Sequence, residues 1–259
     1  MSALDTTMAV ALHTKWISPR YRFGQKYDDR DIIPALWLGL WNASVPIGSI
    51  AGSIVGGQFQ DMFGRRWSMG ASSILSAMCV AIAFVSDIPT TISSRRAIFL
   101  VAKTLQGFGN GVILCTCETY MSEVLPPPLR GPGLALFPIF MLVGQLIGSI
   151  VVQAALSIEG AASYRTAFAS QWPFTALPLL VAIFLPESPP WLIRLGKLEV
   201  ARKCHQRLDS SKRKDDRDVA FEEIHQTILL EQKQSAFHDV TYMQCFQRAD
   251  RRRTIIVVS

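Results

Sequence analysis

Five long stretches of the chain are almost free of ionisable side chains, and short charged segments separate them. Ile32 to Gln60, Trp67 to Ser86, Gly131 to Ile158 and Thr166 to Leu185 are uncharged, and Ala97 to Cys117 carries Lys103 alone. A helix that crosses a bilayer needs about 20 mostly apolar residues, because its backbone must satisfy its own hydrogen bonds where no water is present. These stretches are apolar on every side, which argues against the amphipathic helices of a soluble bundle. Pro46, Pro138, Pro173 and Pro178 fall inside them, and proline is better tolerated in membrane helices than in soluble ones. The pattern predicts an all-α fold, a polytopic membrane helix bundle, with transmembrane helices near residues 32–60, 67–86, 97–122, 131–158 and 166–185.

The remainder is polar. Residues 186–250 are rich in charge, and helical spacing recurs at Trp191 to Leu208 and at Phe221 to Gln234. In the second segment Phe221, Ile224, Ile228 and Leu229 share one face, so a small helical region with an amphipathic surface helix is expected. Arg251 to Arg253 then precede the apolar run Thr254 to Val258. Residues 251–259 therefore read as the start of a further, truncated transmembrane helix.

Charge orients the bundle. The short loops divide their basic residues evenly, with Arg65, Arg66 and Arg130 on one side and Arg95, Arg96 and Arg165 on the other. The basic segment after Leu185 decides for the cytosol, because loops rich in Lys and Arg stay inside. Residues 1–31 then form an extracellular, loop-like N-terminal tail, although it carries Lys15, Arg20, Arg22, Lys26 and Arg30. The formal net charge of +6 lies beside apolar spans and in the polar segment, which points to a membrane and away from nucleic acid. Cys79, Cys115, Cys117, Cys204 and Cys245 lack zinc-ligand spacing and read as small buried side chains. Trp37, Trp41, Trp67 and Trp172 fall near span ends, as an interfacial aromatic belt would.

Small residues recur where helices would touch: Gly48, Gly52 and Gly56 in the first span, Gly107, Gly109 and Gly111 in the third, and Gly144 and Gly148 in the fourth. Such residues let membrane helices approach closely, so a tightly packed bundle is expected. The loop from Gly57 to Arg66 combines Asp61, the turn-forming Gly64, and Arg65 and Arg66 at a helix entrance. That is a compact charged latch at the membrane surface. Here the chain resembles the major facilitator superfamily, whose members carry this loop between their second and third helices; Met62 stands where a basic residue is usual. The loop Glu123 to Gly131 is similar to the acid–proline–arginine–glycine pattern of the sugar-porter branch. Pro186-Glu187-Ser188-Pro189-Pro190-Trp191-Leu192 looks like that branch's signature after its sixth helix, with Pro190 in place of the usual arginine. The order and spacing of the three motifs agree from Trp37 to Arg253, and the resemblance is to the N-terminal half of the family.

Several residues acquire roles through that resemblance. Polar side chains inside a membrane are costly and mark function by default. Gln145 matches a glutamine in the branch whose amide donates to and accepts from sugar hydroxyls, and Gln153 lies two turns further on. Lys103 stands where the family places an arginine used in proton coupling. The alternative for Lys103 is snorkelling toward the interface. Asp61, Gly64, Arg65, Arg66, Glu123, Arg130 and Glu187 form the expected cytosolic gate, with Glu123 paired to Arg130. Asn42, Asn110, Glu118 and Tyr120 read as packing or rim positions. No phosphate loop, metal cluster or catalytic constellation appears in the sequence, so neither an enzyme nor a cofactor is expected.

The resemblance implies transmembrane transport of a sugar or polyol by alternating access, passive or coupled to protons, in the plasma membrane. Such transporters bind their substrate between two halves. The second half is missing from this sequence, so the chain is expected to be an incomplete transporter. A partner-dependent, non-transporting half and a fragment of a sugar sensor are the other readings.

Overall fold

The computed structural model describes residues 25–27, 30–32, 34–86, 88, 91–156, 166, 168–208 and 214–237. The expected N-terminal tail up to residue 24 and the expected helix start at 251–259 lie outside them. Two compact units divide the chain, Met1–Ser188 and Pro189–Ser259.

The first unit begins with a two-stranded antiparallel ladder, β1 (Gln25–Tyr27) against β2 (Arg30–Ile32), with Lys26 opposite Asp31. Five helices follow: α1 (Ala35–Phe63), α2 (Arg65–Val85), α3 (Ile92–Val124), α4 (Pro127–Leu156) and α5 (Trp172–Phe184). Ile32 belongs to the ladder, and the first helix starts later than the apolar stretch because Pro34 occupies its N-cap with φ −58° and ψ 136°. Proline there surrenders only an N–H that has no helical partner. The last apolar stretch likewise becomes a continuous helix only from Trp172, with Pro173 in its first turn. The first four helices are long and apolar enough to cross a membrane, and α5, with 13 residues, is a shorter apolar helix. The chain is an integral membrane protein.

α1 packs chiefly on α3, α3 also on α2, and α2 on α5. The α1–α3 contact is made backbone to backbone. A Cβ on Gly52 would lie 2.1 Å from the Phe108 carbonyl oxygen, and one on Gly111 would lie 2.2 Å from that of Ser49. Ser49 Oγ donates across the seam to the Gly107 carbonyl at 3.1 Å. On α2 the face toward α3 is polar but small: Ser68, Ser72 and Ser76 recur every four residues and are buried, and Ser68 Oγ meets Thr116 Oγ1 at 3.2 Å. The Ser72 hydroxyl bonds the Ser68 carbonyl of its own helix at 2.7 Å, and hydroxyls bonded to their own or a facing helix tolerate burial without water. Ser76 Oγ is buried without such a bond among the described residues. Aromatic residues close the opposite end of α3, with Trp41, Phe99 and Phe168 packed edge to face around Ala83 and Ala102. α4 differs from the others: of its described residues only Gly148, Val152 and Ala155 are buried.

The second unit comprises α6 (Pro189–Arg194), α7 (Leu198–Leu208) and α8 (Lys214–Phe237). The segment Trp191 to Leu208 is broken in two because Gly196 takes φ +74°. Its N–H bonds the Ile193 carbonyl at 2.9 Å and the Lys197 N–H bonds that of Leu192 at 3.0 Å, the paired bonds of a glycine-terminated helix end. Leu192, Ile193, Ala201, Phe221 and Ile228 form this unit's core, Ile224 packs beside it, and Leu229 is exposed.

Candidate functional site

At the junction of α1 and α2 the chain reverses through Gly64, whose φ of 95° and ψ of 163° suit glycine alone. The turn aims the first N–H groups of α2 toward the segment that follows α5. No side chain caps α2 locally. Instead Glu187 does so from a distance of 122 positions in the chain: its Oε1 accepts the N–H of Arg65 at 2.8 Å and of Arg66 at 3.2 Å. A carboxylate at a helix N-terminus satisfies orphan donors and meets the positive end of the helix dipole.

The side chain of Arg65 turns inward and is buried. Its Nη2 donates to Glu123 Oε1 at 2.8 Å and lies 3.1 Å from Asp61 Oδ1, while Nη1 donates to the Gln60 carbonyl at 3.2 Å. The other oxygen of Glu123 accepts from Ser188 Oγ at 2.6 Å. Arg66 reaches the end of α5, with Nε on the Ala182 carbonyl at 2.9 Å and Nη2 on that of Ile183 at 2.8 Å. These carbonyls belong to the last turn of α5, which has no intrahelical donor for them. Tyr120 Oη adds a bond to the Pro186 carbonyl at 3.0 Å, and Gln60 Nε2 crosses to Thr119 Oγ1 at 3.2 Å. A buried arginine with an ion pair and charge-assisted hydrogen bonds is thus the hub that ties together the adjoining ends of α1, α2, α3 and α5.

Most of the residues expected at a gate meet here: Asp61, Gly64, Arg65, Arg66, Glu123 and Glu187. Arg130 does not. It lies in the first turn of α4, beyond the Pro126 to Pro128 run, is exposed, and makes no ion pair with a described residue. Glu123 faces α2 from the last turn of α3 and is committed to Arg65 and Ser188, so the expected Glu123–Arg130 pair is absent. Met62 is 72% exposed and contributes nothing to the network. Ser188, Tyr120, Gln60 and Thr119 were not foreseen as members. Ser188 lies in the Pro186 to Leu192 motif, but no spacing rule connects it to Glu123.

The intramembrane candidates lie elsewhere. Gln145 and Gln153 are both exposed on α4. With Ser149, whose Oγ donates to the Gln145 carbonyl at 2.9 Å, they make a polar ridge at four-residue spacing on a helix that is otherwise apolar. Amides on such a ridge can donate and accept hydrogen bonds toward whatever covers α4. Lys103 is buried, with Nζ 5.6 Å from the Phe99 ring centre and 6.0 Å from that of Phe168, the range of cation–π contact. It lies about 30 Å along α3 from Glu123 at 1.5 Å per residue, so the structure does not bring it to the helix-end network. Arg96, also buried, stands 6.0 Å over the Trp37 ring. Among the described residues no cluster of His, Cys, Asp or Glu could hold a metal.

Comparison with known proteins agrees with this architecture. The chain is 28% identical to an MFS transporter of Aspergillus fumigatus over 87% of its own length and 40% of the relative's. It is 26% identical to a high-affinity glucose transporter of Kluyveromyces lactis, again over 87% of this chain and 39% of that one. A solved structure of the proton:xylose symporter XylE superposes with a TM-score of 0.72 at 24% identity, covering 90% of this chain and 50% of XylE. The chain therefore spans about two fifths of the curated relatives it matches and half of the structural neighbour. Residues 6–259 match the family described as sugar (and other) transporter, and the chain belongs to that family.

Proposed function

We propose that this chain forms the N-terminal half of a transporter that moves a sugar or related polyol across the plasma membrane by alternating access. The observation that carries the reading is the Arg65 network. It binds the ends of α1, α2, α3 and α5 to one another, so it acts within this bundle and makes the bundle end move as one body. Rigid halves that rock about a central site are what alternating access requires. The orientation of charge puts this network at the cytosolic face, the 1–31 tail outside and the 186–250 segment inside. Asp61, which is paired with Arg65 but 67% exposed, and exposed Arg130 lie at the surface that a second half would meet.

Gln145, with Gln153 beside it on the ridge, faces the substrate path and offers its amide to sugar hydroxyls. α4 leaves most of its surface uncovered, which suits a helix that meets a second transporter half. Lys103 is the proton-coupling candidate, and no enzymatic step is part of the reading. The glucose and xylose transporters among the relatives support sugar as the substrate class and protons as the coupling ion.

The test begins with the native protein, captured from its host membrane by an antibody to α8 and reconstituted into liposomes. It should take up a labelled hexose, pentose or polyol, and faster with an inside-alkaline gradient. Its apparent size should reveal a second half, either in a longer chain or as a co-purifying partner. Absence of uptake and of counterflow for the whole panel, by protein that is folded, would refute the transport reading.

A further inference from the structure

Away from the helix-end network, α3 and the first residue before α5 meet through two amides. Gln106 and Gln171 are both fully buried, and Gln106 Nε2 donates to Gln171 Oε1 at 3.0 Å. That single bond leaves Gln106 Oε1 and Gln171 Nε2 buried with no protein partner. Turning both amides over produces the mirror arrangement, again with one acceptor and one donor open. Turning only one would set oxygen against oxygen or nitrogen against nitrogen. In every arrangement that keeps the bond, the pair presents one open acceptor and one open donor.

Two orphaned polar atoms lose their hydration without replacement, a penalty larger than the net gain of the one bond they frame. Two glutamines placed there for that bond alone would be a worse choice than two leucines. A group that both donates and accepts, an O–H, resolves both orphans at once. Asn110, one turn further along α3, has its Nδ2 buried and without a partner as well, so a third polar atom lies in the same region of the helix. Two to four polar partners are what an internal water normally has. Phe168, one turn before Gln171, is 2% exposed, and its carbonyl takes the Gln171 N–H at 3.1 Å.

We propose that the Gln106–Gln171 pair is a binding site for one hydroxyl group, that of a water molecule or of a polyol, held as a fixed bridge between α3 and α5. The site lies about 25 Å along α3 from Glu123 at 1.5 Å per residue, and it stands whether or not the chain transports a sugar.

X-ray radiolysis of the whole chain in lipid nanodiscs, read residue by residue by mass spectrometry, tests this. Radicals formed from a bound water label the side chains next to it, whereas a buried aromatic ring with no such neighbour stays unlabelled. Phe168 should be oxidised at the doses that oxidise exposed Trp172. In Q106L/Q171L, which replaces the amides by apolar groups of similar size, labelling of Phe168 should be lost while that of Trp172 persists. Repeating the exposure with glucose or mannitol separates the two sources of the hydroxyl. Unchanged labelling identifies a resident water, and protection identifies a polyol hydroxyl that displaces it; either supports the site. Failure of Phe168 to label in the unmodified chain would overturn the proposal without recourse to the variant. Undiminished labelling in a folded Q106L/Q171L protein would overturn it equally.

Discussion

Replacing Gly52 by alanine adds one methyl group at the point where α1 and α3 come closest. Its Cβ would lie 2.1 Å from the Phe108 carbonyl oxygen and 2.9 Å from the carbonyl carbon. Carbon approaches a carbonyl oxygen to about 3.3 Å, so the two helices must part by roughly 1 Å. Backbone has no rotamer to turn aside, and the strain spreads along the seam. The Ser49–Gly107 and Ser53–Gly111 hydrogen bonds, at 3.1 and 3.5 Å, would lengthen with it. Overpacking costs about 1–3 kcal/mol, and an interhelical bond in a membrane about 0.6 kcal/mol on average. Alanine returns up to about 1 kcal/mol of helix propensity. The net loss is therefore about 1–3 kcal/mol, and for a chain of this length each kcal/mol moves the melting temperature by about 2–4 °C. G57A is the matched control, because nothing lies within 4 Å of a Cβ at Gly57 and only the propensity gain remains. The assay is thermal unfolding in detergent at a fixed scan rate, followed with a fluorogenic maleimide that reacts as buried Cys79 becomes exposed. G52A should melt roughly 3–10 °C below the unmodified chain, and G57A at or slightly above it. Equal melting of the two variants would show that α1 and α3 do not pack backbone to backbone at Gly52.

Other outcomes follow from the helix-end network and the α4 ridge. G64A forces a side chain into φ 95° and should destabilise by about 1–3 kcal/mol in the same melt, whereas unchanged melting would contradict that turn. R65A leaves Glu123, whose side chain is 12% exposed, without its charge partner and should cost up to about 3–5 kcal/mol. Combined with E123A in a double-mutant cycle, it should show a coupling above about 1 kcal/mol, and simple additivity would mean the pair is not formed. R130A should change stability by less than about 0.5 kcal/mol, since that side chain is exposed; a drop matching R65A would place Arg130 in the network after all. Q145A should leave melting unchanged and, if α4 lines the sugar path, raise the apparent KM of the reconstituted native transporter about fivefold to tenfold, the loss of roughly 1 kcal/mol. An unaltered KM would remove Gln145 from the substrate site.

The membrane character of this chain was legible in one dimension, because a bilayer imposes its requirement on each helix separately. Long uncharged stretches and intrahelical proline tolerance need no partner to be read. The family motifs were legible too, since the turn at Gly64 and the charges around it are local. Which charge meets which was not. Arg130 is seven positions from Glu123 and Arg65 is 58 away, yet Arg65 holds the carboxylate, because α2 and α3 run side by side and the Pro126 to Pro128 run directs α4 elsewhere. Glu187 capping α2, Ser188 bonding Glu123 and the Gln106–Gln171 bridge have the same origin. Each joins residues more than 60 positions apart in the chain, and hydrogen bonds last only over about 3 Å. Hydropathy and turn chemistry act along the chain and can be read from it, whereas short-range polar pairing depends on which helices become neighbours, and packing alone decides that.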